Sequence, residues 1–397
     1  MLDRIINVFT SLRLTVVCLA MALVLVFAGT LAQVDLGLYQ TQERYFHSLF
    51  VTWSPEGASW KIPVWPGGYL LGTLLLINLI AAHLKRFKFT KGKIGIFMIH
   101  AGLILLLVGQ FFTEAFQVET FMRLEEGHAK NFTESGRKHE LALVDVTDPN
   151  HDKVIVIPET FLANQAEISH PELPFILRVK EFLPNSIPEL RGEPASQIQG
   201  VGQKLQFENR PVTHALDDEN KPAAIIEILA GQQSVGQWSV STWLTKFPWV
   251  GEVRRVFGRK LGSLLSQPQT FTHEGRTWQV ALRPVRYYKP FTIQLLDFTH
   301  DRYKGTEIPK NFSSRIRLVD PRNNENREVL IYMNNPLRYN GETYYQGGFE
   351  PGDTVSILQV VSNPSWLAPY ISVTLVGLGL TIQFLSHLIA FAKRRSS

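Results

Sequence analysis

The stretch Lys85–Thr113, KRFKFTKGKIGIFMIHAGLILLLVGQFFT, joins nine residues with five cations to twenty residues without Asp, Glu, Lys or Arg. A helix that crosses a hydrocarbon core about 30 Å thick needs about 20 such residues. Because backbone amides must be paired within lipid, the run Ile94–Thr113 predicts a membrane-spanning helix. Leu14–Gln33, Gly68–Leu84 and Leu367–Ala392 have the same character. The fold class expected is an integral membrane protein with four transmembrane α-helices.

The distribution of Lys and Arg predicts the orientation, since cations in short flanks stay on the cytoplasmic side. They collect in residues 1–13, in the loop 85–93 and in the tail 393–397. With these three segments inside, the loop 34–67 and the long region 114–366 lie outside. The chain is therefore expected to have a large external domain between its third and fourth spans.

The net charge of +5 does not indicate a nucleic-acid partner. The three cytoplasmic segments hold ten Lys and Arg against Asp3, which leaves −4 for the rest of the chain. The external domain is thus mildly acidic, and nucleic-acid binding has no electrostatic basis. The partner that the cations indicate is the lipid bilayer.

The first apolar run could be a retained helix or a cleaved signal peptide. The small residues in Ala28–Gln33 resemble a cleavage site, but the apolar run exceeds the ~7–15 residues of a signal-peptide core. We therefore predict a retained helix, with a cleaved signal as the alternative. Cys18 is the only cysteine, so the chain has no internal disulfide, no CxxC redox pair and no CxxCH haem-attachment motif.

Region 114–366 is predicted to be β-rich, because short alternating or β-branched runs recur between turn residues. A sandwich or a barrel within a single domain is expected. The ten candidate strands are Leu141–Val146, Lys153–Ile157, Phe175–Val179, Ala224–Leu229, Trp238–Trp243, Trp278–Leu282, Thr292–Leu296, Arg315–Val319, Glu328–Met333 and Ser356–Val361.

Small residues in two spans indicate close helix packing. Gly102 and Gly109 lie in the third span, and Gly377 and Gly379 lie in the fourth. Glycine lets helix backbones approach each other in a bilayer. These helices are expected to pack on each other or on a partner.

Three histidines lie in predicted spans, where ionisable residues are costly and mark functional sites. His83, His100 and His387 are all expected in the cytoplasmic half at similar levels, and the tight hairpin would let His83 and His100 share one pocket. Imidazole is an axial ligand of haem iron, and an apolar macrocycle suits a groove between helices. The alternative is that each histidine makes an interhelical hydrogen bond or packs at the headgroup boundary.

The external histidines lack zinc-site spacings such as HExxH and are interpreted as surface or structural residues. No Walker A loop, GxGxxG turn or GxSxG elbow is present, so no catalytic residue is assigned. These histidines are residues 47, 128, 139, 151, 170, 214, 273 and 300.

The order of several motifs resembles ResB, a membrane subunit of the system II cytochrome c maturation pathway. Each motif is weak alone, but their order across three helices, an external domain and a fourth helix is specific. The stretches are Ser11–Val17, Pro66–Tyr69, Asn78–His83, Ile99–Gly102, Met333–Tyr339 and Tyr344–Phe349.

The resemblance implies a chain that helps to move haem b to the outer face for attachment to apocytochrome c. It implies a ResC/CcsA-type partner, because this chain lacks the partner's WGxxWxWD haem-handling pattern. The chain would then not be an enzyme by itself but a subunit of a cytochrome c synthetase. By motif position the resemblance implies His83 as the first candidate haem ligand, His100 as the second and His387 as a distant third.

The expected location is the bacterial cytoplasmic (inner) membrane with the large domain in the periplasm or outside, or the thylakoid membrane for a plastid protein. A competing function from another class is a membrane scaffold that binds no haem and anchors an external interaction domain.

Overall fold

The computed structural model describes residues 2–55, 60–86, 93–149, 151–164, 166–213, 219–245, 268–305, 309–350 and 352–396. Most of the predicted basic loop, residues 87–92, and His214 lie outside these ranges. Within them, four helices are long and apolar enough to cross a membrane, namely α2, α3, α4 and α6. The helices are α1 (Leu2–Phe9), α2 (Leu12–Thr41), α3 (Gly68–Arg86), α4 (Ile94–Phe116), α5 (Glu159–Asn164) and α6 (Ala368–Ser396).

Helix α2 is longer than the predicted span Leu14–Gln33 and reverses direction at its far end. Gly37 has φ 74°, a left-handed conformation that glycine adopts without strain, and a π-helical turn follows at Gln42–Phe46. A methyl group on Gly29 would lie 2.9 Å from the Phe46 ring, so the turn folds back along α2. The first part of the predicted loop 34–67, up to Phe46, is therefore helical and packed against α2.

Helix α3 is fixed to the N-terminal helices by a buried amide. Thr15 Oγ1 donates to Asn78 Oδ1 at 2.5 Å, and Asn78 Nδ2 donates to the carbonyl oxygens of Phe9 and Ser11 at 2.7 and 3.1 Å. The two carbonyls flank the break between α1 and α2, where Thr10 and Ser11 interrupt the helix. The amide thus supplies a donor to carbonyls at the helix break.

Helices α4 and α6 pack closely through small residues. Methyl groups on Gly95, Gly102 and Gly109 would lie within 2.5 to 2.8 Å of atoms of α6, at Gly379, Ser372 and Ala368 respectively. The seven-residue spacing puts the three glycines on one face of α4. The predicted close packing is present between these two helices, whereas Gly377 faces open space.

The region between α4 and α6 is rich in strands. With the hairpin β1 and β2 that precedes α3, the strands are β1 (Phe50–Trp53), β2 (Ile62–Pro66), β3 (Val118–Glu125), β4 (Ala129–Asp145), β5 (Lys153–Pro158), β6 (Glu167–Ile168), β7 (Ile176–Leu183), β8 (Ser186–Leu190), β9 (Ile198–Gln199), β10 (Leu205–Asn209), β11 (Ala223–Ala230), β12 (Gln233–Ser241), β13 (Gln269–His273), β14 (Arg276–Arg302), β15 (Pro309–Asp320), β16 (Glu325–Tyr332), β17 (Leu337–Tyr339), β18 (Glu342–Phe349) and β19 (Val355–Ser362).

Strand β14 runs through both hydrophobic cores of this domain. Its first half packs with β4, β5 and β13 against β7, β11 and β12, around Trp238 and Trp278. Its second half lies in the second core. The whole strand belongs to a ten-stranded sheet, in which eight strands follow the order β16-β15-β14-β4-β3-β19-β18-β17, β5 pairs with β4 and β13 pairs with β14. The predicted strands Trp278–Leu282 and Thr292–Leu296 are therefore two parts of one strand.

The second core lies inside a strongly curled sheet. Ser314 Oγ of β15 lies 2.7 Å from Gln346 Oε1 of β18 and 2.7 Å from Ser356 Oγ of β19, across the sheet from one another. The domain is thus a sandwich at one end and a curled sheet at the other, so neither predicted architecture describes it alone.

The domain joins the helices through two neighbouring strands. β3 follows α4 directly and β19 precedes α6, and the two pair antiparallel with Val118 opposite Ser362. Next to this pair, Asn363 Nδ2 donates to Thr113 Oγ1 at 3.2 Å. Entry and exit of the chain are therefore side by side.

Candidate functional site

His83 and His100 lie side by side in the seam between α3 and α4. Their ring centres are 5.6 Å apart with the planes at 81°, and the Phe97 ring is 5.4 Å from His83. Both histidines are half-buried. His100 Nδ1 is buried without a hydrogen-bond partner among the described residues. Buried polar atoms are normally hydrogen-bonded, so an unpaired ring nitrogen in an apolar seam is available to bind a ligand.

The packing of the helices brings this pair together. Asn78, five residues before His83, anchors α3, and the glycine face of α4 is turned to α6. Ile99 contacts Gly379 of α6, which leaves His100, one position further along, on the side of α3. The sequence predicted that these two histidines could share a pocket, and the structure places them in contact distance.

His387 lies elsewhere, so the expectation of three histidines at similar levels is wrong. Gln383 Nε2 and His387 Nε2 are 2.6 Å apart on α6, and the His387 side chain is exposed. Gly379 of α6 faces Gly95 and Ile99, near the start of α4. His387 is eight residues further along α6, so it lies about 12 Å beyond Gly379 and past the start of α4. Counting back from Lys393 failed because α6 continues past the start of α4.

A cavity of about 670 Å³ opens between α3 and α4 at the ends opposite to the histidine pair. We call it the domain-end cavity, because the β-rich domain joins the helices there. Its wall is mainly apolar. The lining residues are Phe46, His47, Gly68, Tyr69, Gly72, Thr73, Leu76, Leu107, Gln110, Phe111, Glu114 and Ala115.

His47 contributes an imidazole to the lining of this cavity, and two carboxylates lie close to it. His47 Nδ1 lies 3.0 Å from Glu43 Oε1 and 3.5 Å from Glu114 Oε1. The Tyr69 hydroxyl donates to Glu114 Oε1 at 3.2 Å, and the Tyr69 ring stacks on His47 with centres 5.7 Å apart and planes at 8°. The carboxylates favour a proton on Nδ1, which leaves Nε2 as the nitrogen with a lone pair.

The sequence interpretation of His47 as a surface or structural residue missed this arrangement. Two features of the sequence could have indicated a site here. Tyr69, Thr73 and Leu76 have the spacing of one helix face, and Glu114 is a carboxylate at the end of an apolar span. What could not be foreseen was the reversal at Gly37, which returns His47 to the helices.

Other external histidines have a carboxylate oxygen close to a ring nitrogen within the domain. His139 Nδ1 lies 2.8 Å from Glu159 Oε2, and His300 Nδ1 lies 2.9 Å from Asp353 Oδ1. The His300 ring is enclosed by aromatic rings, with Phe349 at 4.2 Å between centres. Among the described residues, no group of three or more His, Cys, Asp or Glu side chains could hold a metal ion.

The fold and the paired histidines define a class of membrane-type protein in which a β-rich domain is inserted between two of four apolar helices. A family model described as the ResB-like family matches residues 255–386, about a third of the chain. The matched segment includes β13, all of β14, the strands that follow it and the first two thirds of α6.

A relative from Wolinella succinogenes, Protein NrfI, is 30% identical over 128 residues. The alignment covers 32% of this chain and 14% of NrfI, so the chain matches only a small part of that relative's length.

Proposed function

We propose that this chain acts in cytochrome c biogenesis, where it holds haem b at His83 and His100 and helps to pass it to the outer face of the membrane. The contact between the two imidazoles, with ring centres 5.6 Å apart and His100 Nδ1 unpaired, is the observation that carries the proposal. The match of residues 255–386 to the ResB-like family model supports it.

The proposed orientation puts the basic ends of α3, α4 and α6 in the cytoplasm. Lys85, Lys93 and the cations that end α6 at Arg395 lie at these ends, as cations do on the cytoplasmic side. The β-rich domain then lies outside, and the histidine pair lies towards the inner leaflet. In a bacterium this is the cytoplasmic membrane, with the domain on its outer side.

The residues around the pair fit haem as cargo. Two imidazoles supply iron ligands, and Phe97 with the neighbouring apolar side chains suits the porphyrin plane. In biogenesis the vinyl groups of haem become joined to cysteine thiols of the apocytochrome. This chain would contribute binding and orientation of the haem in that process, without a catalytic side chain of its own.

A ResC/CcsA-type protein is the proposed partner, and apocytochrome c is the proposed acceptor. Exposed apolar side chains along α2, such as Phe27, Leu31 and Val34, offer a surface to a membrane partner or to lipid. The β-rich domain is held at the membrane by two adjacent strands and could receive the acceptor there.

The test is the visible absorption spectrum of the detergent-purified chain coexpressed with its ResC-type partner. Variants His83→Gly and His100→Gly are compared with the native chain, and His387→Gly is the matched control, because its side chain is exposed and lies on another helix. We expect the Soret band to shift or disappear in the first two variants and to persist in the control. Added imidazole should restore it, since the free ring can occupy the space left by the side chain.

Two outcomes would overturn the proposal. An unchanged spectrum in the His83→Gly/His100→Gly double variant would place the haem on the partner. A colourless native complex would leave the scaffold as the function that fits.

A further inference from the structure

The domain-end cavity and the histidine pair lie on the same seam of the same two helices. On α3, Tyr69 and Leu76 line the cavity, and His83 follows Leu76 by seven residues; on α4, Leu107 lines it and follows His100 by seven. Seven residues are close to two helical turns, so these side chains share a face. Tyr69 of α3 lies beside Glu114 of α4, and His83 of α3 lies beside His100 of α4. The two contacts are fourteen residues apart along each helix, which is about 21 Å.

The cavity has one imidazole in a large apolar space. A bare metal ion needs several protein ligands, and the described residues offer no such group. A single histidine in an apolar cavity instead suits iron that arrives within its own macrocycle, as in haem sites with one protein ligand. The cavity of about 670 Å³ falls within the range of ligand pockets.

The surroundings of His47 also suit ligation through Nε2. A carboxylate that accepts from the other ring nitrogen is the usual support of a ligating histidine, because it fixes the tautomer and raises the basicity of the ligand. Glu43 Oε1 occupies that position, 3.0 Å from His47 Nδ1, and Glu114 Oε1 is the second carboxylate oxygen near that nitrogen, at 3.5 Å. Their negative charges also favour the positive core of ferric haem.

We propose that the domain-end cavity is a second haem site of this chain, with His47 as the iron ligand and Glu43 and Glu114 as the carboxylates that orient it. The inference rests on the proposed function, in which the same seam carries haem from the histidine pair towards the outer face. Haem would then occupy two positions on this chain before it reaches a partner.

The experiment titrates ferric haem into the purified full chain in lipid nanodiscs and counts bound haem by absorption. Four forms are compared: native, His47→Ala, His83→Ala/His100→Ala, and the combination of all three. We expect the native chain to bind two haems, each site variant to bind one, and the combination to bind none. His151→Ala is the control, because its side chain is 86% exposed on the β-rich domain, and it should behave as native.

The outcomes separate the two proposals. If His47→Ala binds as much haem as native while the pair variant loses all of it, the second site is wrong and the proposed function stands. If only His47→Ala loses haem, the cavity is a site and the histidine pair is not. Equal binding in every form, including the combination, would mean partition of haem into lipid and would overturn both.

Two further variants keep His47 in place and test the cavity itself. A side chain at Gly72 would enter open space in the cavity, so Gly72→Phe should block the second haem without unfolding the helix. The double change Glu43→Gln/Glu114→Gln should leave the site but weaken haem binding about 10-fold and shift its Soret band, as loss of a supporting carboxylate does. Normal binding in both variants would contradict the assignment.

Discussion

Gly95 of α4 and Gly379 of α6 face each other so closely that a methyl group on either would lie 2.7 Å from the carbonyl oxygen of the other. We expect Gly379→Leu to force the helices apart at a cost of about 1–3 kcal/mol, the range for overpacked sites. Gly377→Leu is the control, because that position on the same helix faces open space. Thermal unfolding in detergent measures both, and equal midpoints would contradict the packing.

The buried amide of Asn78 gives a second prediction. Asn78→Leu keeps the size of the side chain but removes three hydrogen bonds, including those to the carbonyls at the break before α2. We expect a loss of roughly 1–2 kcal/mol, as for hydrogen bonds between membrane helices. Thr381→Val is the control, since Thr381 is exposed and bonds only to its own helix. A variant as resistant to heat and protease as native would show that α3 does not depend on this anchor.

The two cores of the β-rich domain should unfold together because β14 belongs to both. Leu282→Ala opens a cavity in the first core and Leu295→Ala in the second, each at a cost of about 2–5 kcal/mol. Both variants are expected to lower the midpoint of one common transition, followed by tryptophan fluorescence. Val156→Ala, at a position 46% exposed, should change it little. Two separate transitions would show that the cores are independent.

Asp320 predicts an acid-dependent part of the stability. Hydrogen bonds from the Arg322 guanidinium, aided by the Tyr339 hydroxyl, lower the pKa of the Asp320 carboxyl from 3.8 to about 2. Because the folded pKa lies below the unfolded one, this stabilisation is present above about pH 4 and is lost as the pH falls towards 2.

Asp320→Asn should therefore melt below native at neutral pH, and the difference should shrink between about pH 4 and pH 2. Asp297→Asn, at a carboxylate 50% exposed, is the control. Melting midpoints across this pH range make the comparison, and a difference independent of pH down to 2 would refute the role of the carboxylate.

The sequence predicted the four apolar helices well, because an uninterrupted apolar run has few alternatives in lipid. It predicted that His83 and His100 could share one pocket, from the shortness of the connection between their helices. It failed for His387, since the level of a residue depends on where its helix meets the neighbours, and α6 extends beyond α4.

The β-rich region was harder to predict for a physical reason. Strands such as β3 and β18 bury one face only and carry charged, glycine or tyrosine residues on the other, so their apolar content is low. In β14, a stretch with Pro284 and Pro290 looked like a connection between strands, yet pairing with β4 continues past it with shifts in register. His47 was missed because only the tertiary reversal at Gly37 brings it to the cavity.

The pairing of β3 with β19 at the exit from α4 and α6 has a mechanical consequence. A domain on a single flexible linker could swivel freely, but two hydrogen-bonded strands resist both twist and bend. The whole domain therefore moves with any tilt of α4 and α6. The displacement grows with distance from the helices, so a protein docked at the far end of the domain would be displaced most.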